Sequence, residues 1–248
     1  MFFSMCGSLS QNLENPFLQQ LMKMYGMRID PLRVQQNPTP LDIRPNGRLN
    51  IILSENDQIA MKPANWWLFQ TLTEDGYTYD KRYRSFNTRK DKLYSSRQQD
   101  FATQRCIIPA QCFYEWNQHR YRIAPVNGSI AFGGLYHRYP TAEGIHYSCS
   151  IITLPPHDRF RSIHDKSFPL MLTQDEITPW LDASFNDTHY WSTALETKIR
   201  FDLLITPVDS KSPDIVAGDS FTIVNDDSPE QDNAGPIIAP GQNYSLFD

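Results

Sequence analysis

The clearest helical pattern lies near the start of the chain, in "ENPFLQQLMKMYGM". Its apolar side chains recur every three or four positions and so share one face of a helix: Phe17, Leu18, Leu21, Met22 and Tyr25. Gly26 follows directly, at a position where glycine commonly ends a helix. The pattern therefore predicts a short amphipathic helix that ends at Gly26.

Alternation of polar and apolar residues predicts strands in much of the remaining chain. "RLNIILSEN" and "QIAMKP" flank the turn "SEND", and similar patterns occur in "RCIIPAQCFYEW", "RYRIAPVNGSIAFGGLYHR", "HYSCSIITL" and "FDLLITPV". A helix is expected in "TQDEITPWLD", with Thr173 as N-cap and Glu176 completing a capping box. Because the strands show no regular βαβ alternation, we expect an α+β fold with a central, curved, mostly antiparallel, barrel-like sheet and a few peripheral helices.

The chain of 248 residues is long enough to bury a sizeable core. We assign residues 1–222 to a single domain and residues 223–248, which are acidic and contain Pro, Gly and Asn, to a tail. The apolar stretches are far shorter than a membrane span, and "MFFSM" lacks the basic segment of a secretory signal. We therefore expect a cytoplasmic protein.

The four cysteines are Cys6, Cys106, Cys112 and Cys149. They could form two disulfides, but a chain of this size does not need them for stability. No C-x-x-C pair occurs, and no histidine lies at zinc-ligand spacing from a cysteine. We expect free thiols, no metal ion and no cofactor.

The formal net charge of −5 argues against a protein that binds nucleic acid over its whole surface. Basic residues nevertheless concentrate between aromatic ones in "DKRYRSFNTRKDKLYSSRQQDFATQR": Lys81, Arg82, Arg84, Arg89, Lys90, Lys92, Arg97 and Arg105. Such a stretch can bind phosphates and stack bases. The alternative is a solvated loop, and the charge pattern alone favours that interpretation.

Two candidate segments for chemistry lie in the first half of the chain. Cys6 precedes Gly7, where the absent side chain would allow another backbone to approach closely. A cysteine near a chain start is more often a small hydrophobe. Asn87 and Arg89 lie in "SFNTRKD", where Asn87 can equally be an ordinary turn residue.

Two further candidates lie in the second half. Glu115 sits among aromatic residues in "FYEW", and burial there would raise its pKa towards neutrality, which suits a general acid or base. A glutamate facing solvent at a strand end is an equally good interpretation. His164 precedes Asp165 in "RSIHDKSFPLML" and is either a proton carrier or a loop histidine with its hydrogen bonds satisfied.

Taken in order, these segments resemble the SOS response-associated peptidase family, also called abasic-site processing proteins. The family pattern runs Met-Cys-Gly-Arg, Asn-x-Arg-x-Glu, Arg-Cys-(hydrophobic)-x-Pro-x-x-Gly-Phe-Tyr-Glu-Trp and Ile-His-x-Arg-Met-Pro. This chain has "MCGS", "NTRKD", "RCIIPAQCFYEW" and "IHDKSFP" in the same order. The resemblance extends from Cys6 to about residue 220, and its most specific single motif is "FYEW".

The resemblance implies covalent capture of abasic sites in single-stranded DNA, as part of a DNA-damage response. The ring-opened abasic sugar presents an aldehyde, with which the α-amine of an N-terminal cysteine condenses to an imine. The thiol of the same cysteine then closes a five-membered thiazolidine, a step that gains from proximity. The resemblance further implies a monomer, associated with the nucleoid if the host is bacterial.

Carried over to this chain, the family pattern makes Cys6 the nucleophile. Asn87 would hold the α-amine or the sugar oxygen, and Glu115 would transfer protons during imine formation and sugar opening. His164 would assist and stabilise the open sugar, and Arg89 would contact a phosphate. Further contacts with DNA are expected from Trp66, Trp67 and Thr153.

This chemistry requires Cys6 to be the first residue of the mature chain. Phe2 should block removal of Met1, whereas Cys6 is small enough to permit removal of Met5. We therefore expect either translation from Met5 or cleavage of the Met5–Cys6 bond, which matches the peptidase activity in the family's name.

The chain also departs from the family pattern at five positions. Ser8 replaces an arginine, Trp67 a glycine, Asp42 in "DIRP" an asparagine, Asp91 a glutamate and Cys112 a glycine. We expect these changes to affect DNA affinity or the fine geometry of the site.

Two other functions remain open at the level of sequence. A cysteine peptidase acting in trans would use Cys6, His164 and Asn87 in the manner of Cys-His-Asn proteases. A non-catalytic DNA-binding module would account for the departures from the family pattern. The resemblance favours abasic-site crosslinking over both.

Overall fold

The computed structural model describes residues 7–12, 16–27, 42–56, 58–182, 184–185 and 187–229. Cys6 and residues 230–248 of the expected tail lie outside the described residues. The strands are β1 (Ser8–Ser10), β2 (Arg48–Glu55), β3 (Gln58–Asn65), β4 (Gln70–Thr73), β5 (Gly76–Tyr79), β6 (Asn87–Arg89), β7 (Arg105–Ala110), β8 (Cys112–Trp116), β9 (Arg120–Pro125), β10 (Ile130–Thr141), β11 (Gly144–Leu154), β12 (Phe168–Pro169), β13 (Met171–Leu172), β14 (Leu203–Val208) and β15 (Phe221–Ile223). The α-helices in these residues are α1 (Pro16–Met24), α2 (Lys90–Leu93), α3 (Gln98–Thr103) and α4 (Gln174–Leu181).

Five strands close into a barrel. The hydrogen-bonded order runs from β11 through β3, β2, β7 and β10 back to β11. Neighbouring strands are antiparallel except β3 and β11, which run parallel with Ala64 opposite Tyr147. The short strand β6 also pairs parallel with β11, and β12 and β13 extend the sheet. The prediction of an α+β fold with a mostly antiparallel, barrel-like sheet is confirmed.

A second sheet packs beside the barrel, in the order β1, β8, β9, β14 and β15. All of its pairs are antiparallel. On its other side, β1 bridges to Ile43, where the backbone amides and carbonyls of Leu9 and Ile43 exchange two hydrogen bonds of 2.9 and 2.8 Å. The N-terminal strand therefore lies between β8 and the segment around Ile43.

Both faces of β7 and of much of β2, β10 and β11 are buried, which explains their continuous apolar runs. Ile51 and Leu53 point into a core shared with the second sheet. Ile52, which lies between them, points to the opposite face and packs in a second core with α1 and α4. Gly134 on β10 has no room for a side chain, because a Cβ there would lie 2.2 Å from Cδ1 of Ile108 and 2.7 Å from the Ser150 carbonyl oxygen.

Helix α1 ends as its sequence predicts. Gly26 has a positive φ of 63°, which glycine adopts without strain. Its amide donates to Lys23 (3.4 Å), and the amide of Met27 donates to Met22 (2.8 Å), which together form a Schellman motif. No helix in the described part of the chain has the length and apolar character needed to cross a membrane.

Helix α4 is stabilised at both ends. The backbone amide of Thr173 donates to the carboxylate of Glu176 at 2.8 Å, so the predicted capping box is confirmed. At the other end, the guanidinium of Arg105 is buried and donates to five backbone carbonyls, those of Phe101, Ala102, Trp180, Asp182 and Phe185. Arg105 therefore does not belong with the exposed phosphate-binding candidates of the basic stretch.

The three described cysteines, Cys106, Cys112 and Cys149, are free and buried. Burial raises the pKa of each thiol, so little thiolate forms near neutral pH. These three thiols are consequently poor nucleophiles, which leaves Cys6 as the candidate for covalent chemistry.

Candidate active site

Glu115 lies on β8, the strand that pairs with β1 on one side and β9 on the other. The strand alternates, so Phe113 and Glu115 share a face that Tyr114 does not. Phe113 packs into the shared core, and Glu115 is only 2% exposed. The "FYEW" motif therefore places a carboxyl group in a buried position beside the N-terminal strand.

His164 reaches the same position from a loop. A short 3-10 turn, Asp158–Phe160, precedes it, and the backbone amide of His164 donates to the Phe160 carbonyl at 2.9 Å. Its Nδ1 lies 3.4 Å from Oε2 of Glu115, and both side chains are 2% exposed. The structure thus brings two of the predicted catalytic residues into contact, although they are distant in sequence.

The electrostatics of His164 favour a neutral ring. Burial lowers its pKa below 6.5, although a hydrogen bond with the backbone of Trp116 and the charge of Asp165 oppose this shift. Nε2 is buried and has no hydrogen-bond partner among the described residues. A neutral imidazole has one protonated nitrogen and one free lone pair, so the ring of His164 can accept a proton.

This depressed pKa predicts a pH-dependent contribution of His164 to stability. An unfolded chain binds a proton at His164 near pH 6.5, whereas the folded chain resists protonation. The contribution is therefore fully present above pH 6.5 and is lost as the pH falls towards the lower folded pKa. We expect the difference in unfolding free energy between wild type and His164→Gln to shrink from pH 7.5 to pH 5, as measured by urea denaturation. A difference that is constant across this range would contradict a buried neutral imidazole.

A cavity of about 320 Å³ connects the start of β1 with Glu115. Its walls are formed by Gly7, Ser8, Arg44, Tyr114, Glu115, Trp116, Arg120 and Ser210. The amide of Gly7 donates to the Tyr114 carbonyl at 3.3 Å, which attaches the beginning of the described chain to β8. The expected close backbone approach at Gly7 is not found, because a Cβ there would lie at an ordinary 3.8 Å from the Tyr114 oxygen. Cys6 is the residue immediately before Gly7.

A larger cleft of about 630 Å³ lies beside β6 and β11. Its lining includes Arg89 and Thr153, which are opposite each other in the parallel pairing of β6 and β11, and also Lys90 and Lys166. The Thr153 hydroxyl is buried and has no hydrogen-bond partner in the described part of the chain. The cleft carries positive charge, as a phosphate-binding surface requires, whereas the Thr153 hydroxyl lies within its wall.

Arg89 can exchange its present partner for another anion. Its Nε pairs with Asp91 at 2.9 Å, but both side chains are more than half exposed. Exposed pairs of this kind contribute little free energy and are easily replaced. Lys166, which sequence reasoning did not single out, adds a third cation to Arg89 and Lys90 and lies two residues after His164 in "HDK". The loop that carries His164 therefore borders both the buried carboxylate and the basic cleft.

Asn87 begins β6, opposite Ile151, and is partly buried. It lies two residues before Arg89, on the strand that lines the basic cleft. The structure therefore forms two pairs of predicted residues, Glu115 with His164 and Arg89 with Thr153, and places Asn87 on the strand of the second pair.

Trp66 and Trp67, the two tryptophans expected to contact DNA, mainly pack within the protein. Trp66 is fully buried, and its Nε1 donates to the Phe86 carbonyl at 2.8 Å. This burial is at odds with the expected direct contact between Trp66 and DNA. Trp67 is partly buried, with ring centroids 5.1 Å from Tyr79 and 5.3 Å from Phe86 and a hydrogen bond to the Asp80 carbonyl.

No group of three or more His, Cys, Asp or Glu side chains suited to a metal ion occurs among the described residues. The described site contains a buried acid–imidazole pair next to a short N-terminal strand, with a basic cleft alongside.

Comparison with known families shows to which family the chain belongs. A family model described as SOS response associated peptidase (SRAP) matches residues 5–212. The chain belongs to the SRAP family. Its SRAP region includes Gly7, Glu115, His164 and the basic cleft.

Curated relatives support the same assignment. The abasic site processing proteins YobE and YoqW of Bacillus subtilis (strain 168) are each 28% identical to this chain over 165 and 166 residues. Each alignment covers 62% of this chain, with 73% of YobE and 72% of YoqW.

Solved structures share the fold of this SRAP protein. One from Bacteroides thetaiotaomicron has a TM-score of 0.59 and 21% identity and covers 85% of this chain and 94% of its own. One from Bordetella bronchiseptica has a TM-score of 0.55 and 20% identity, and the match covers 75% of this chain and 92% of that structure's chain.

Proposed function

We propose that this SRAP protein processes abasic sites in single-stranded DNA by forming a covalent thiazolidine crosslink through Cys6. The observation that carries the proposal is the contact between buried Glu115 and His164 beside strand β1, which begins at Ser8. The relatives YobE and YoqW are named abasic site processing proteins, which supports abasic DNA as the substrate class. A site that couples a carboxylate, an imidazole and a nearby chain terminus suits amine and thiol addition to an aldehyde.

The reaction has two bond-forming steps. The neutral α-amine of Cys6 adds to the aldehyde of the ring-opened sugar, and loss of water leaves an imine. The thiol sulfur then adds to the imine carbon while its proton moves to nitrogen, which closes the thiazolidine. Both nucleophiles belong to one residue, so the second step is intramolecular.

Proton transfers accompany each step, and the Glu115–His164 pair is suited to them. The amine must lose a proton and the departing hydroxyl must gain one, which a positioned carboxyl group can mediate. The neutral ring of His164 can accept a proton, and its Nδ1 lies 3.4 Å from Glu115. We assign Glu115 to proton transfer at the imine and His164 to sugar opening, with Asn87 as a hydrogen-bonding residue for the amine or sugar.

The basic cleft would hold the flanking backbone of the DNA. Arg89, Lys90 and Lys166 supply cations, and the Thr153 hydroxyl can bond a phosphate or sugar oxygen. Because the His164 loop borders both regions, DNA bound in the cleft can present its abasic sugar towards Glu115.

The mechanism requires a free α-amine on Cys6. We therefore infer that residues 1–5 are absent from the active protein, through translation from Met5 or cleavage of the Met5–Cys6 bond by the protein itself. An internal Cys6 would carry an amide nitrogen, which does not form an imine.

The test uses a single-stranded oligonucleotide with one abasic site. We expect a band that resists heating in denaturant from protein shown by intact mass to begin at Cys6, and none with undamaged DNA. Two controls isolate the chemistry: Cys6→Ser keeps the amine without the thiol, and acetylation of the Cys6 α-amine keeps the thiol without the amine.

A resistant band from either control would overturn the thiazolidine mechanism. Retention of DNA without any crosslink, from protein that begins at Cys6, would favour a non-catalytic binding module. Cleavage of added peptides by the acetylated protein would favour a peptidase that acts in trans.

A further inference from the structure

Strand β1 is only three residues long, and in the proposed mature chain it begins two residues after the N-terminal Cys6, where segments fray unless they are held. Its backbone bonds to Tyr114 on one side and to Ile43 on the other. Three residues of strand contribute few such bonds, so the position of β1 also depends on its side chains. Leu9 packs into the core, and the side chain of Gln11, just after β1, bonds the backbones of Asn50 and Pro109. A further side-chain cluster lies on the face opposite Leu9.

Arg120 of β9 is the centre of that cluster. Its side chain is 4% exposed, and Nη2 donates both to the Ser8 hydroxyl at 2.9 Å and to Oδ1 of Asp42 at 2.5 Å. The guanidinium stacks over the Tyr114 ring, 4.5 Å from its centroid. Nη1 lies 3.4 Å from the Ser210 carbonyl. Arg120 thus joins β1 to the segment around Asp42 and to β8.

Asp42 completes the cluster as an ionised carboxylate. Burial alone would raise its pKa, but hydrogen bonds from Ser8, Arg44 and Arg120 lower the pKa below its usual range. Oδ2 accepts two bonds from Arg44, at 3.1 and 2.9 Å. Ser8 accepts a hydrogen bond from Arg120 and contributes to the lowered pKa of Asp42, so the three side chains form one cluster.

This arrangement is unlike an anion-binding site. A phosphate would have to displace Asp42 from a guanidinium that is almost fully buried, and removing one partner of a buried ion pair is costly. The hydroxyl of Ser8 already accepts a hydrogen bond from Arg120. The cluster is built to hold its own members rather than to receive a ligand.

We propose that Arg120 and Asp42 are positioning residues that clamp Ser8 and thereby fix Gly7, the residue that follows the reactive Cys6, at the wall of the cavity that Glu115 lines. The catalytic part of this inference rests on the proposed function. The cluster assigns a role to Ser8 and Asp42, two of the departures from the family sequence pattern.

Ser8→Ala is the mildest test, since it removes one hydroxyl and leaves the Arg120–Asp42 pair intact. Native-state hydrogen exchange of the Gly7 and Leu9 amides should become roughly 5- to 30-fold faster, the effect of losing about one or two hydrogen bonds. The amide of Gly133, which donates to Leu170 in the barrel at 3.0 Å, should keep its rate.

Ser148→Ala is the matched control. Ser148 is also a buried serine, and its hydroxyl donates to the Leu68 carbonyl at 2.6 Å, in the barrel rather than at β1. We expect it to leave the exchange of Gly7 and Leu9 unchanged. Equal acceleration at β1 in both variants would show a general loss of stability and overturn the clamp.

The rate constant for crosslinking and the Kd for DNA together distinguish a positioning role of the cluster from a role in DNA binding. In Ser8→Ala, the first-order rate constant for crosslinking to bound abasic DNA should fall by roughly tenfold or more, since small misplacement of a reactive group is costly. The Kd for the same DNA, measured before crosslinking, should be unchanged. A reduced affinity with an unchanged rate constant would instead assign the cluster to DNA binding and overturn the proposal.

Asp42→Asn keeps the shape of the side chain and should show the same pattern more strongly, because it leaves the Arg120 charge without its counter-ion. Unchanged exchange at Gly7 and Leu9 in both variants would overturn the clamp even if the wild type crosslinks normally. A wild type that forms no crosslink would instead overturn the proposed function, and with it the catalytic role of the clamp.

Discussion

Replacement of Glu115 by glutamine is expected to slow crosslinking to abasic single-stranded DNA by about 10²- to 10⁴-fold, the usual range for loss of a general acid or base. Glutamine has nearly the same volume and can still contact Nδ1 of His164, which lies 3.4 Å from the present carboxylate. It cannot carry a proton between the amine, the hydroxyl and the ring. The measurement is the single-turnover rate of the denaturation-resistant band at saturating protein.

The control for Glu115→Gln is Glu143→Gln, the same substitution at an exposed glutamate in the turn between β10 and β11. It should crosslink at the wild-type rate. An unchanged rate in Glu115→Gln would remove Glu115 from the proton-transfer steps. A loss of rate accompanied by an equal loss of affinity would assign Glu115 to substrate binding instead.

Replacement of Arg105 by alanine is expected to lower the free energy of unfolding by about 4 kcal/mol or more. Its guanidinium bonds five backbone carbonyls from α3, the end of α4 and the chain that follows. Each carbonyl left buried without a partner costs about 1–3 kcal/mol, and water that enters the cavity recovers part of this. Burial lowers the pKa of Arg105 to about 10, so the group still remains charged at neutral pH.

Urea denaturation measures this effect, and Arg161→Ala provides its control. Arg161 pairs with Asp158 on the surface, with side chains 59% and 86% exposed, and its loss should cost less than about 1 kcal/mol. Arg105→Lys should be intermediate, because a lysine has three donors and lacks the planar fork. A small effect of Arg105→Ala would mean that the carbonyls rehydrate without difficulty.

Local elements of this fold follow from local sequence signals. The apolar spacing before Gly26 and the Thr173–Glu176 pair predict where α1 ends and where α4 begins, and the structure confirms both. These signals act between residues within one helical turn, so they need no knowledge of the rest of the chain.

Closure of the barrel, in contrast, depends on contacts between segments that are distant in sequence. The parallel contact between β3 and β11 joins Ala64 to Tyr147, which are far apart in sequence. Apolar strands buried on both faces look alike whichever partner they take and in whichever direction. The sequence pattern therefore predicts a barrel-like sheet but not which strands close it.

The candidate site is likewise predicted in part by local motifs and decided in part by tertiary contacts. The motifs "FYEW" and "IHDK" single out Glu115 and His164 by residue type and order. Their contact, and the neutral state of His164, depend on burial created by β8 and the loop after β11. The role of Cys6 stays a prediction, because it lies outside the described residues.

By itself, the sequence determined the family, the fold class, the helix ends and the order of the reactive residues, because each depends on residue type at short or characteristic spacing. Only the tertiary structure decided how each residue is used. Trp66 and Arg105 resemble nucleic-acid contacts in sequence but are buried, and Ser8 joins a buried ion pair. Burial and partnership arise from contacts between distant segments, and these contacts set whether a charge or ring meets solvent, DNA or the protein's own backbone.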